Sequence, residues 1–199
     1  MLYNNLGDFM FFIYDNINNY TDNDYQDMLN SLNVDDKKKI TEIIRISDKK
    51  LSILSRFLLK SILSQKYHLD YNNIFFNEYN KPLIEGIFFN ISHSYEYVVL
   101  AFSNNEIGID IEKIRKVDLN IINGFCTDNE KDYILNSKDK YKSLFEIYTL
   151  KESYFKMLGT DLSNIKNVDL INNVKSNLNI KLIYDIPEYI ISMTEKTGK

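Results

Sequence analysis

Residues 107–112 read Ile-Gly-Ile-Asp-Ile-Glu. Strict alternation is the period of a β-strand, whose successive side chains point to opposite faces. Ile109 and Ile111 therefore enter a core, and Asp110 and Glu112 share the other face. Two neighbouring carboxylates repel each other unless a cation joins them. Oxygen ligands suit Mg²⁺, which takes few protein carboxylates and completes its shell with phosphate and water. A strand with a plain acidic outer face fits the same six residues.

The rest of the chain organises around this strand. Phe9–Tyr14 is an apolar run of strand length. Asp24–Leu32 and Asp35–Ile46 have helical character. Asp48 is placed to cap a long helix in which Leu51, Leu54, Ser55, Leu58 and Ile62 recur at the helical period. Ile74–Phe76 is strand-like and ends before Lys81-Pro82. Phe88–Ile91, Tyr97–Phe102 and Ile107–Glu112 are three successive strands, with a turn at Asn104-Asn105 between the last two. The period then becomes helical: a short helix over Asp118–Phe125, a helix opened by a Thr127/Glu130 capping box, and a long helix over Lys140–Leu158 stopped by Gly159. Val168–Met193 alternates like strands. The expected architecture is α+β, with two comparable halves, residues 1–105 and 106–199, meeting near residue 106.

Composition narrows the function. The chain has 199 residues, a net charge of −4 and a single cysteine. An acidic chain is a poor candidate for general nucleic-acid binding. One cysteine allows neither a disulfide framework nor a cysteine-based zinc site. No apolar run is long enough to span a bilayer, so the expectation is a soluble, cytoplasmic protein. Charge is uneven: between Asp35 and Lys60, eight basic residues face four acidic ones. Such an island suits a small polyanion, and it equally suits a solvated helix face.

Two further motifs carry polar chemistry. Phe89-Asn90-Ile91-Ser92-His93-Ser94 ends an apolar strand in three polar side chains. Tyr148-Thr149-Leu150-Lys151-Glu152-Ser153-Tyr154-Phe155-Lys156 places Glu152 and Lys156 one helical turn apart on one face, where they can hold a cation and a phosphate or form an ordinary surface ion pair.

In this order and spacing, FNISHS, IGIDIEK and YTLKESYFK resemble the motif set of the surfactin-type (Sfp-type) 4′-phosphopantetheinyl transferases. Lys81-Pro82 and the long helix through Arg56–Tyr67 fit as well, and the resemblance covers roughly residues 35–165. It implies two similar α/β halves about a pseudo-twofold axis, with coenzyme A between them. It implies Mg²⁺, for which Mn²⁺ may substitute, on Asp110, Glu112 and Glu152. It also implies Lys151 and Lys156 at the pyrophosphate. Ser92, His93 and Lys81, joined by Lys37, Lys38 or Lys39, would lie near the 3′-phosphate. The reaction implied is attack by a serine of an apo acyl or peptidyl carrier protein, with Lys156 stabilising the leaving group and Glu152, or else Glu112, taking the proton. The expected enzyme is monomeric, with no nucleic-acid or membrane partner. Three positions depart from the pattern: Tyr148 where the family usually has Trp, Tyr95-Glu96 where Gly and a basic or polar residue are commoner, and the turn Gly159-Thr160-Asp161-Leu162.

Overall fold

The structure, a computed structural model, describes residues 2–5, 10–171 and 177–197. The chain begins with β1 (Leu2–Asn5) and β2 (Met10–Asn16), then helices α1 (Asp22–Ser31), α2 (Val34–Thr41) and α3 (Ile46–Tyr67). A small hairpin, β3 (Phe75–Phe76) with β4 (Pro82–Leu83), leads to β5 (Phe88–Ser94) and β6 (Tyr97–Ser103). The second half runs β7 (Ile107–Lys113), α4 (Ile122–Phe125), α5 (Asp128–Asn136), α6 (Lys140–Leu158), β8 (Leu178–Ile183) and β9 (Tyr189–Lys196). Phe9 and the 172–176 part of the alternating tail lie outside the described residues.

The same plan occurs twice. A strand, two shorter helices and one long helix are followed by two more strands, and the last strand always inserts between the other two. This gives the orders β2-β6-β5 and β7-β9-β8, with β1 added at the edge of the first sheet. All described pairings are antiparallel.

The layers follow from strand alternation. On β6, Val98, Leu100 and Phe102 pack with Leu54, Leu58 and Leu63 of α3. Val99 and Ala101 face the other way and join Phe12, Ile107, Ile109, Ile111, Ile191 and Met193 in a core between the two sheets. Behind the second sheet, Leu144, Ile147, Leu150, Phe155 and Met157 of α6 pack with α4, α5 and Ile190. The sequence resembles a run of three strands from residue 88, but β7 does not extend the β5–β6 hairpin. After the Asn104-Asn105 turn it starts the second sheet, pairing with β9.

Local signals explain the ends of α6 and its tight seat. Asp139 caps it by accepting from the Lys142 amide, and Gly159 ends it with φ 68°, the left-handed conformation glycine tolerates. Gly108 lets the helix approach β7. A Cβ there would stand 1.9 Å from the Ser153 carbonyl oxygen. Ser153 completes the contact, its hydroxyl lying 3.1 Å from Ser192 Oγ and 2.8 Å from Thr194 Oγ1. Asp48 lies in the first turn of α3, paired with Arg45, and does not cap it.

Candidate active site

The unpaired edge of β7 runs beside β5, and alternation on β5 aims Asn90, Ser92 and Ser94 at it. Asn90 Oδ1 accepts from the Ile109 amide at 3.0 Å, satisfying an edge donor that β9 does not reach. Ser92 Oγ donates to Asp110 Oδ1 at 2.7 Å, and Ser94 Oγ donates to Glu112 Oε2 at 3.2 Å. The face shared by Asp110 and Glu112 thus acquires hydroxyl partners from the other half of the molecule.

From the opposite side, α6 presents Tyr148, Glu152 and Lys156, each one turn apart and half-buried. Lys156 Nζ donates to Asp110 Oδ1 at 2.5 Å and to Ser92 Oγ at 3.0 Å. Arg115 donates to Glu112 Oε2 at 3.3 Å. Burial, and then the neighbouring Glu152 carboxylate, push the Tyr148 phenol above its ordinary value. Burial, and then the Asp110 charge, push both Glu112 and Glu152 above the ordinary carboxylate range.

Among the described residues, no three His, Cys, Asp or Glu side chains stand close enough to form a ready-made metal cage. The donor set nonetheless fits a hard cation that keeps much of its water. Asp110 Oδ2 is buried and has no hydrogen-bond partner, because both Ser92 and Lys156 use Oδ1. An unpaired buried carboxylate oxygen is costly, and it faces a neighbourhood where Glu112 and Glu152 already repel Asp110.

The serine-histidine-serine motif is divided between two sites by the strand period. Ser92 and Ser94 face β7, whereas His93 points to the α3 side. There it lines a pocket of about 320 Å³ with Lys39, Arg56, Asp36, Ser52 and Ser55, walled by Tyr71, Phe76 and Pro82. Arg56 Nε pairs with Asp36 Oδ1 at 2.8 Å. Partial desolvation and the Lys156 ammonium hold the His93 imidazole below its ordinary value. The three neighbouring lysines are placed differently with respect to this pocket. Lys39, itself exposed, lines it and lies 5.3 Å over the Phe76 ring, whereas Lys38 does not line it and Lys37 donates to the Asn30 carbonyl.

Three expected ligands go elsewhere. Ser92 belongs to the carboxylate cluster and not to the His93 pocket. Lys151 is fully buried and pairs with Glu130 at 2.7 Å, donating also to the carbonyls of Phe125 and Ile165. It cannot reach a pyrophosphate without abandoning three partners in the core. Lys81 Nζ donates to the Met157 carbonyl at 2.8 Å, at the end of α6. Arg56, Arg115, Asn90 and Ser94 were not among the expected site residues. The spacing of Asn90, Ser92 and Ser94 on one strand face was the available signal for two of them. Arg56 lay in the basic island, undistinguished from its neighbours.

Two descriptions of one family match consecutive parts of the chain. "4'-phosphopantetheinyl transferase, N-terminal" matches residues 19–105, and "4'-phosphopantetheinyl transferase superfamily" matches residues 106–196. The chain belongs to the 4′-phosphopantetheinyl transferases, of the Sfp type. It is 41% identical over 138 residues to 4′-phosphopantetheinyl transferase gsp of Aneurinibacillus migulanus, a match covering 65% of this chain and 57% of that protein. It is 35% identical over 134 residues to 4′-phosphopantetheinyl transferase Sfp of Bacillus subtilis (strain 168), covering 64% and 60% respectively. These matches therefore span about three fifths of the length of the relatives. Among solved structures, the holo-[acyl-carrier-protein] synthase (AcpS) of Thermotoga maritima aligns with a TM-score of 0.41 at 18% identity, over 47% of this chain and 64% of that one.

Proposed function

We propose that this chain transfers the 4′-phosphopantetheine arm of coenzyme A to a serine hydroxyl of an apo acyl or peptidyl carrier protein. The serine oxygen bonds to the β-phosphorus, the bond from that phosphorus to the bridging oxygen breaks, and 3′,5′-ADP leaves. The observation that carries this reading is the Asp110 cluster: a buried carboxylate with one oxygen held by Ser92 and Lys156 and the other without a partner, flanked by Glu112 and Glu152.

Asp110, Glu112 and Glu152 would hold Mg²⁺, which would supply positive charge against the pyrophosphate. The protein's own groups do the rest. Lys156, half-exposed beside Asp110, neutralises charge growing on the leaving group. Glu152 accepts the serine proton, and Glu112 is the second candidate. Arg115, beside Glu112, partly offsets the burial and the Asp110 charge that disfavour its ionised form. The pocket shared by Lys39, Arg56 and His93 takes the 3′-phosphate end of coenzyme A, with Phe76 and Pro82 as apolar walls. Burial and the Lys156 ammonium disfavour the charged form of His93 there, and a bound phosphate would favour it.

The test is to incubate the protein with coenzyme A, Mg²⁺ and an apo carrier protein and weigh the carrier. A mass gain of one phosphopantetheine arm is expected. An unchanged carrier, with the protein folded and coenzyme A bound, would reduce the reading to a binding module.

A further inference from the structure

We propose that Lys81 and Asn77 form a latch between the two halves that positions α6, and with it Glu152 and Lys156, against β7. The kinetic part of this inference rests on the transferase reading above; the structural part does not.

The latch is built from one turn. Asn77 Oδ1 accepts from the amides of Tyr79 and Lys81, at 3.0 and 2.9 Å, and Asn80 takes φ 62° to close the loop. So organised, the turn inserts two donors under the end of α6. Lys81 Nζ reaches the Met157 carbonyl at 2.8 Å and, less closely, the Ile107 carbonyl at 3.5 Å. Asn77 Nδ2 reaches the Gly159 carbonyl at 2.8 Å. These are carbonyls of the kind that a helix end leaves without partners, and a cation is favoured at that pole of the helix. The fit is close: a Cβ on Gly159 would stand 2.9 Å from Lys81 Cδ and 3.0 Å from Asn77 Nδ2. Lys81 also ties two elements at once, since Ile107 opens β7 and Met157 packs on Gly108 of the same strand. Burial at this seam pushes the Lys81 ammonium down to about 8, with Glu106 pulling the other way.

A latch and a phosphate ligand predict different losses. Lys156 sits at the last turn of α6, within 2.5 Å of Asp110. A small shift of that turn moves the reacting geometry without touching the nucleotide pocket, and misplacement of about 1 Å can cost up to roughly 100-fold in rate. Lys81→Met keeps the stem and removes the donors, while Asn77→Asp keeps the Oδ1 acceptor and removes the bond to Gly159. With either variant shown folded by circular dichroism, kcat should fall on the order of 10-fold or more. The KM for coenzyme A should stay within about 2-fold of wild type, and dephospho-coenzyme A should suffer the same factor. Amide hydrogen exchange of Gly159 and Thr160, whose N–H groups both bond to the Phe155 carbonyl, should speed up about 10-fold while the first turn of α6 is unchanged. A selective rise in KM for coenzyme A, with dephospho-coenzyme A unaffected, would overturn the latch and restore Lys81 as a phosphate contact. Unchanged exchange at the end of α6 in both variants would also overturn it. Should the wild-type protein transfer nothing, the transferase reading falls, and the exchange measurement alone decides the latch.

Discussion

Asp110 accepts two hydrogen bonds at one oxygen and none at the other. That asymmetry makes Asp110 the first residue to test in the proposed metal site. Asp110→Ala and Glu152→Ala should keep the fold and lower transfer by at least roughly 10²–10³-fold, the usual cost of a lost charge-stabilising group. Circular dichroism with turnover checks this, and a folded variant at near wild-type rate would strip that residue of its role. Excess EDTA should abolish transfer and Mg²⁺ should restore it; full activity in EDTA would remove the metal from the site. The Thr127/Glu130 spacing predicts a cap at Glu130 and nothing more. It is one, and its carboxylate also holds Lys151 in the core and accepts from the Leu170 amide. Removing either partner leaves a buried charge alone, so Glu130→Ala or Lys151→Met should each cost about 3–5 kcal/mol in urea unfolding. The loss of a cap by itself costs about 1 kcal/mol, and a loss of that size would mean the pair contributes little.

At the scale of elements, Gly108 sets how near β7 and α6 come. A methyl group there meets the backbone of Ser153 and Met157, which cannot rotate away as a side chain does. Gly108→Ala should therefore destabilise by at least about 1–3 kcal/mol, the range for overpacking, and should lower transfer beyond what its melting temperature explains. A variant with wild-type stability would mean that helix and strand can separate freely. The end of the same helix has a pH signature. The folded-state pKa of Lys81 lies below the ordinary 10.5, at about 8, so the folded protein binds fewer protons than the unfolded chain between those values. Stability should rise with pH across that window. Lys81→Met lacks this contribution, so the stability difference between wild type and variant should shift in favour of wild type from pH 8 to 10. A pH-independent difference would place the ammonium in solvent.

Across the whole molecule, the core between the sheets is shared. Phe12, Val99 and Ala101 come from the first half, and Ile107, Ile109, Ile111, Ile191 and Met193 from the second. Neither half can keep that face buried alone, and an exposed apolar sheet face is unfavourable. Urea unfolding should therefore be a single transition, superimposable by far-ultraviolet circular dichroism and by tyrosine fluorescence, which is a practical probe because the chain has 15 tyrosines and no tryptophan. Two separated transitions would show that the halves fold independently.

The elements were legible because local physics dictates them. The period of Ile107–Glu112, the Thr127/Glu130 capping box and the Gly159 stop each act over a few residues, and all three were readable along the chain. The alternation of β7 also placed Asp110 and Glu112 together without reference to any partner. Contacts between distant segments were another matter. Ser92 meets Asp110 across 18 positions, Lys81 meets Met157 across 76, and Lys151 finds Glu130 in the core rather than a phosphate in solvent. A lysine carries the same charge in all these settings. Whether that charge is spent on a buried carboxylate, a helix end or a ligand depends on which surfaces the two sheets bring together, and no periodicity along the chain records that choice.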